Sequence, residues 1–168
     1  GLSLAQYSNG EKFKKRLSKF KVNKDTFDFS NKINLLAQGL GAKFAIDKNF
    51  KEDAMAYLII DIGFSTIDVV DVINGKVRPE NIKGYQNEGI IKIARSLQEY
   101  ILENFHEAVS LKEVKEILKT KEFVLEGTPA DLSAYISEIS KKYTEHTMKM
   151  LKIRYEKEFK KYSTVYFV

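Results

Sequence analysis

Runs of β-branched and aliphatic residues occupy the middle of the chain, and short polar breaks separate them. Residues 56–61 (AYLIID) and 65–73 (STIDVVDVI) are two such runs, and this composition is typical of strands. Asn74-Gly75 follows the second run and is a strong signal for a hairpin turn into residues 76–85. The pattern predicts three consecutive antiparallel strands.

The apolar runs in the N-terminal part of the chain are shorter, and polar turns separate them. A helix is predicted near residues 10–18, followed by strands at 19–22 (KFKV), 26–29 (TFDF) and 32–38 (KINLLAQ), with polar turns between them. Two glycines then precede an Ala/Phe/Ile pattern, so residues 39–46 (GLGAKFAI) are interpreted as the entry to a short helix.

The apolar period changes to that of a helix in the C-terminal half. Apolar positions recur at helical spacing over residues 87–106 and again over 130–161, and both stretches are predicted to be long helices. Between them, Ser110 and Glu113 form the pattern of a capping box at the start of a short helix. Residues 122–132 (EFVLEGTPADL) are interpreted as an extended turn. The last residues, STVYFV, have a strand composition.

Two acids interrupt the central strands. Asp61 ends the first run, and Asp68 lies inside the second; burial of an unpaired carboxylate is costly, so each requires solvent or a cation. Between them, Gly63 lets a backbone approach an oxyanion closely, and Ser65 and Thr66 supply hydroxyl donors. The pattern is that of a phosphate site with an acid that holds Mg²⁺ through its water shell. The alternative is a surface hairpin whose acids face solvent.

Composition narrows the class of protein. The 168 residues are 43% hydrophobic and include no cysteine, which excludes disulfides and thiolate metal sites. No apolar run approaches the length of a membrane span, so the expected protein is soluble, cytosolic and without a membrane partner. The net charge of +5 is concentrated at residues 11–24 and 149–161. Both are interpreted as solvated helix faces, and no direct binding of nucleic acid is expected.

The stretch from 58 to 70, LIIDIGFSTIDVV, resembles the second phosphate motif of the superfamily of actins, sugar kinases and heat-shock chaperone ATPases. It is most similar to the motif of the bacterial ParM/StbA plasmid-segregation actins. Three further stretches are similar to the same family: GLSLAQYSN, in which Ser3 replaces a proline, INLLAQGLGAKFAI, which resembles the connecting segment, and STVYFV, which resembles the strand before the adenosine motif.

The resemblance implies a role for each matching residue. Asp61 would be the magnesium-linked acid, the residues Gly63, Phe64, Ser65 and Thr66 would lie beneath the β- and γ-phosphates of ATP or ADP, and Asp68 would order this loop or its water. Gln38 would orient the attacking water. The implied partners are further copies of the chain in a filament and an adaptor protein bound to DNA.

The implied fold is α/β, of the ribonuclease H-like or actin-like ATPase kind, with antiparallel hairpins in a mixed sheet flanked by long helices. It would be incomplete, because the first phosphate loop and the adenosine motif of the family lie outside the chain. Residues 1–46 would be the remainder of the first lobe with the connecting segment, and residues 47–168 the second lobe. The fragment alone is expected to be inactive.

Other interpretations remain open. A protein of the same fold in cell division or pilus assembly, a sugar kinase, and a non-enzymatic interaction module all fit parts of the pattern. His106 and His146 lie on different predicted helices without metal spacing and are interpreted as surface residues. Tyr135, Tyr143 and Tyr155 recur at helical spacing and are interpreted as core or interface rather than as a platform for a base.

Overall fold

The computed structural model describes residues 9–35, 39–49, 56–77, 82–162 and 164–168. Six helices lie in the described ranges: α1 (Gly10–Ser18), α2 (Leu40–Asn49), α3 (Ile91–Phe105), α4 (Leu111–Thr120), α5 (Ser133–Arg154) and α6 (Glu156–Lys161). The strands there are β1 (Lys19–Val22), β2 (Asp25–Asp28), β3 (Ala56–Ile62), β4 (Thr66–Ile73), β5 (Lys76–Val77), β6 (Lys83–Gln86), β7 (Glu122–Leu125), β8 (Thr128–Asp131) and β9 (Thr164–Phe167).

The central sheet is mixed, as the sequence predicts. Its order is β5-β4-β3-β9, and β6 also pairs with β4. Strands β3, β4 and β5 are antiparallel neighbours, whereas β9 runs parallel to β3. The turn between β4 and β5 contains Asn74 and Gly75, both at positive φ (51° and 68°), which is the geometry that this dipeptide favours. The predicted hairpin is confirmed.

The chain divides into two compact units. The first consists of Gly1–Ile62, Ile67–Tyr85 and Tyr162–Val168, and the second of Gly63–Thr66 and Gln86–Lys161. In the first unit, Tyr57 and Ile59 of β3 and Val70 of β4 lie in one buried cluster with Ile46 of α2. The second unit has its own core, formed by the apolar faces of α3, α4 and α5 and by Phe123 of β7.

Three predicted elements need correction. Residues 32–35 are not a strand, and the rest of that prediction, 36–38, lies outside the described residues. Residues 122–132 are not an extended turn but a two-stranded hairpin, β7 with β8. Its turn places Glu126 and Gly127 at positive φ (46° and 80°); glutamate rarely adopts this conformation, so the sequence carries no ordinary turn signal. The helix predicted over 130–161 divides into α5 and α6 at Tyr155.

The hairpin of β1 and β2 has both faces exposed to solvent. Phe20, Phe27 and Phe29 pack against one another on it, with ring centroids 5.5 to 6.3 Å apart. The basic stretch at residues 11–24 is therefore accompanied by an aromatic cluster. Sequence reasoning missed this cluster because it forms across two strands.

Candidate functional site

Asp61 and Asp68 occupy facing positions on neighbouring strands. They are register partners in the β3–β4 pair, so both side chains project from the same face of the sheet, the face that carries Ile59 and Val70. Asp68 is almost fully buried, with 1% of its surface exposed, whereas Asp61 is partly exposed. The two acids that the sequence singled out are thus brought together at the end of the hairpin.

The surroundings of Asp61 disfavour its charged form. Partial burial raises the pKa of its carboxyl above the ordinary value of 3.8, because desolvation penalises the carboxylate. A proton or a nearby cation relieves this penalty. The environment of Asp61 thus differs from that of an acid in open solvent.

Gly63–Thr66 forms the turn that joins β3 to β4. The Gly63 N–H donates to the Thr66 carbonyl at 2.9 Å and closes the turn. The carbonyls of Gly63 and Phe64 accept hydrogen bonds from the N–H groups of Ile90 and Ile91, at 3.1 and 2.7 Å. Those two donors lie at the N-terminus of α3, where N–H groups have no partner within the helix.

The orientation of these carbonyls determines where the next N–H groups point. In a trans peptide the C=O and the following N–H point in opposite directions, and the described residues include no cis peptide. Since the carbonyls of Gly63 and Phe64 face α3, the N–H groups of Phe64 and Ser65 are directed away from it. Two successive N–H groups pointing to one side form a small concavity that suits an anion.

Gly89 holds this arrangement together, and sequence reasoning missed it. A Cβ atom at this position would lie 2.3 Å from the Gly63 carbonyl oxygen and 2.7 Å from that of Phe64. Both neighbours are backbone atoms, so no side-chain rotation relieves the clash. Glycine is required here because α3 begins in direct contact with the turn. The only available signal was an Asn-Glu-Gly break before the helix, which does not reveal its distant neighbour.

The side chains of the turn separate into two groups. The Phe64 ring packs against the core of the second unit, and the Lys115 ammonium lies 3.9 Å from its centroid, a cation–π distance. Phe64 can therefore contribute to an anion site only through its backbone. Ser65 is exposed and Thr66 is partly exposed. The role of their hydroxyls as side-chain donors stays a prediction.

The remaining candidates are not all brought together with these residues. Gln38 lies outside the described residues, so its expected role stays a prediction. In the described part of the chain, no group of three or more His, Asp or Glu side chains could hold a metal ion. His106 is exposed and ends α3 in a left-handed conformation (φ 58°), and His146 is exposed on α5.

The three tyrosines of the predicted long helix belong to packed regions. Tyr135 and Tyr143 pack against the core of the second unit, and the Tyr135 ring stacks on Tyr100 at 3.8 Å. Tyr155 is 8% exposed. The interpretation of these residues as core is confirmed.

No described helix combines the length and the apolar character that a membrane crossing demands.

Comparisons with known proteins show the family of this chain. Residues 59–168 match the family described as archaeal actin homologue MreB-like, C-terminal. Comparison with curated proteins gives no match. The solved structure of a ParM filament from Clostridium botulinum is similar, with a TM-score of 0.79 and 16% identity over 100% of this chain and 54% of that one.

Two further structures have the same architecture. A non-polymerisable quadruple mutant of pCBH ParM has a TM-score of 0.78 and 15% identity, over 100% of this chain and 55% of that one. An archaeal actin homologue in complex with ADP has a TM-score of 0.71 and 15% identity, over 86% and 47%. The chain thus spans about half the length of these structures. It has an incomplete actin-like fold, and it belongs to the family of archaeal MreB-like actin homologues, whose C-terminal part it contains.

Proposed function

We propose that this chain is part of a filament-forming ATPase that separates plasmids or other DNA in the cytoplasm. Residues 1–46 belong to the first lobe and the connecting segment, and residues 47–168 to the second lobe. Family membership supports this proposal, as does the likeness to a ParM filament and to an archaeal actin homologue in complex with ADP. The chain spans about half the length of those structures, so the proposed activity is that of the full-length protein.

The observation that carries the proposal is the direction of the turn peptides. The N–H groups of Phe64 and Ser65 point away from α3, because the preceding carbonyls accept from Ile90 and Ile91. Such a pair donates to the β- and γ-phosphate oxygens of ATP, and the Ser65 and Thr66 hydroxyls add donors. Fixed donors stabilise the charge that develops during phosphoryl transfer.

The facing carboxylates fit a magnesium ion. Asp61 is partly exposed and its pKa is raised, so a nearby cation stabilises its ionised form. Two carboxylates are too few to enclose the ion, and Mg²⁺ commonly keeps most of its water ligands. Asp61 would hold the ion through water, and Asp68 would orient Asp61 or its water from the neighbouring strand. When bound, the ion neutralises phosphate charge. Gln38 orients the attacking water.

The filament uses this chemistry for mechanical work. ATP binding favours addition of subunits, and hydrolysis favours their release. A DNA-bound adaptor protein connects the filament to its cargo, so the chain itself does not contact DNA. The basic stretches at residues 11–24 and 149–161 then serve contacts with proteins.

The decisive experiment measures nucleotide turnover and filament formation by the full-length protein. Asp61→Asn keeps the size of the side chain and removes its charge, and it should lower ATP turnover by about 100-fold or more. Asp71→Asn is the matched control, because Asp71 is also buried on β4 but projects from the opposite face. It should retain turnover.

Three outcomes would contradict the proposal. If the full-length wild type neither hydrolyses ATP nor forms filaments by electron microscopy, the proposed filament-forming ATPase is refuted and the interaction-module alternative is favoured. An equal loss in both variants would mean that the hairpin was only destabilised. Unchanged inheritance of a plasmid after deletion of its copy of the gene would refute the role in segregation while leaving the ATPase intact.

A further inference from the structure

Tyr143 connects α5 to Glu88, the residue just before Gly89, which packs against the turn. Its hydroxyl donates to the backbone carbonyl of Glu88 at 3.0 Å. Burial raises the pKa of Tyr143, so the hydroxyl keeps its proton and remains a donor at neutral pH. The two residues are 55 positions apart in sequence, and the contact is a tertiary one within the second unit.

Glu88 is also held through its side chain. The Lys92 ammonium lies 2.5 Å from its carboxylate, one helical turn further along, and the His146 imidazole lies 4.0 Å away. The Glu88 side chain is only 29% exposed. Residue 88 is therefore fixed from two sides, by α5 through its backbone carbonyl and by Lys92 of α3 through its carboxylate.

Residues 89–91, which follow Glu88, connect it directly to the turn. Gly89 packs directly against the carbonyls of Gly63 and Phe64, and Ile90 and Ile91 donate hydrogen bonds to the same two carbonyls. Because the contact at Gly89 leaves no free space, a displacement of Glu88 moves these donors or breaks their bonds. The direction of the Phe64 and Ser65 N–H groups depends on those bonds.

We propose that Tyr143 is a positioning residue for the phosphate turn, acting through the Glu88 carbonyl and the donors of Ile90 and Ile91. This inference rests on the proposed function for its effect on nucleotide binding. Its structural part is independent of that function: the Tyr143 hydroxyl holds the start of α3 where Ile90 and Ile91 can donate to the turn carbonyls.

The chain offers a matched control for the test. Tyr135 is on the same helix as Tyr143, and its hydroxyl donates to a carbonyl of α3, that of Ser96, at 3.2 Å. Tyr135→Phe and Tyr143→Phe therefore each remove one hydroxyl that joins α5 to α3. Only the bond of Tyr143 lies beside the turn. A merely structural role predicts the same effect for both variants.

Two measurements on the full-length protein separate the possibilities. In titrations with a fluorescent ATP analogue and Mg²⁺, Tyr143→Phe should weaken binding by about 2- to 10-fold, the range expected for one lost hydrogen bond, while Tyr135→Phe leaves it unchanged. In the nucleotide-free protein, hydrogen exchange of the Ile90 and Ile91 amides should be faster in Tyr143→Phe than in Tyr135→Phe.

The outcomes distinguish this inference from the proposed function. If the wild type binds no nucleotide but the Ile90 and Ile91 amides still exchange faster in Tyr143→Phe, the structural coupling stands and the nucleotide role falls. If the wild type binds nucleotide and the two tyrosine variants have equal affinity, Tyr143 is not a positioning residue. Equal exchange rates in the two variants would refute the coupling itself.

Discussion

Replacement of Gly89 by alanine tests whether the contact between α3 and the turn is as tight as the structure shows. The new Cβ would lie 2.3 Å from the Gly63 carbonyl oxygen, whereas real Cβ atoms essentially never come closer than 3.0 Å. The backbone must therefore separate by about 0.7 Å at this point. Hydrogen bonds of 3.1 and 2.7 Å, from Ile90 and Ile91 to the turn, do not both survive such a displacement.

The expected cost follows from those two bonds. At about 1 kcal/mol net for each, their loss lowers the free energy of unfolding by about 2 kcal/mol. Gly41→Ala is the control. It lies in α2 with no atom within 4 Å of the added Cβ, so it should stabilise the protein by about 0.5–1 kcal/mol through the smaller entropy of the unfolded chain.

The assay is chemical denaturation of the full-length protein followed by circular dichroism, with hydrogen exchange at Ile90 and Ile91 as the local readout. Gly89→Ala should have a lower midpoint than the wild type, Gly41→Ala a higher one, and only Gly89→Ala should speed exchange at these amides. If Gly89→Ala is as stable as Gly41→Ala and its amides stay protected, the described contact between helix and turn is wrong.

Two further predictions concern single side chains. The pKa of Asp61 is raised in the folded protein, so the folded state binds this proton more tightly than the unfolded state does. The stability that the bound proton contributes is lost as the pH rises from the ordinary pKa of 3.8 through the pKa of the folded state. Without Mg²⁺, the advantage of Asp61→Asn in unfolding free energy should therefore grow between about pH 4 and pH 7; an advantage that is constant or shrinks would contradict the assigned shift. Ser110→Ala removes the acceptor for the Glu113 N–H and breaks the capping box of α4, so it should lower the free energy of unfolding by about 1 kcal/mol in thermal or urea unfolding. Ser137→Ala, at an exposed position on α5, is the control and should change stability little. Equal effects of the two substitutions would mean that the cap is not formed.

Local signals account for the elements that the sequence predicted well. The Asn74-Gly75 turn, the β-branched runs around it and the Ser110 capping box each depend on residues close together in the chain, and all three are confirmed. The β7–β8 hairpin was missed because Glu126 is held at positive φ, a conformation that its own side chain disfavours. Pairing of the two strands outweighs that local preference.

By itself, the sequence determined the class of fold and singled out the acids and the glycine of the hairpin, because strand period and turn residues are local features of the chain. Its resemblance to actin-like ATPases depended on the same short stretch. Only the tertiary structure decided which groups surround that stretch. Gly89, Lys115 and Tyr143 lie 26, 52 and 80 residues beyond Gly63 in the chain, and no local pattern relates them to the turn. Lys115 meets the turn through the Phe64 ring, and Tyr143 bonds to the Glu88 carbonyl, next to Gly89. Gly89 lies against the turn because the orphan N–H groups at the start of α3 need acceptors, and the turn carbonyls provide them.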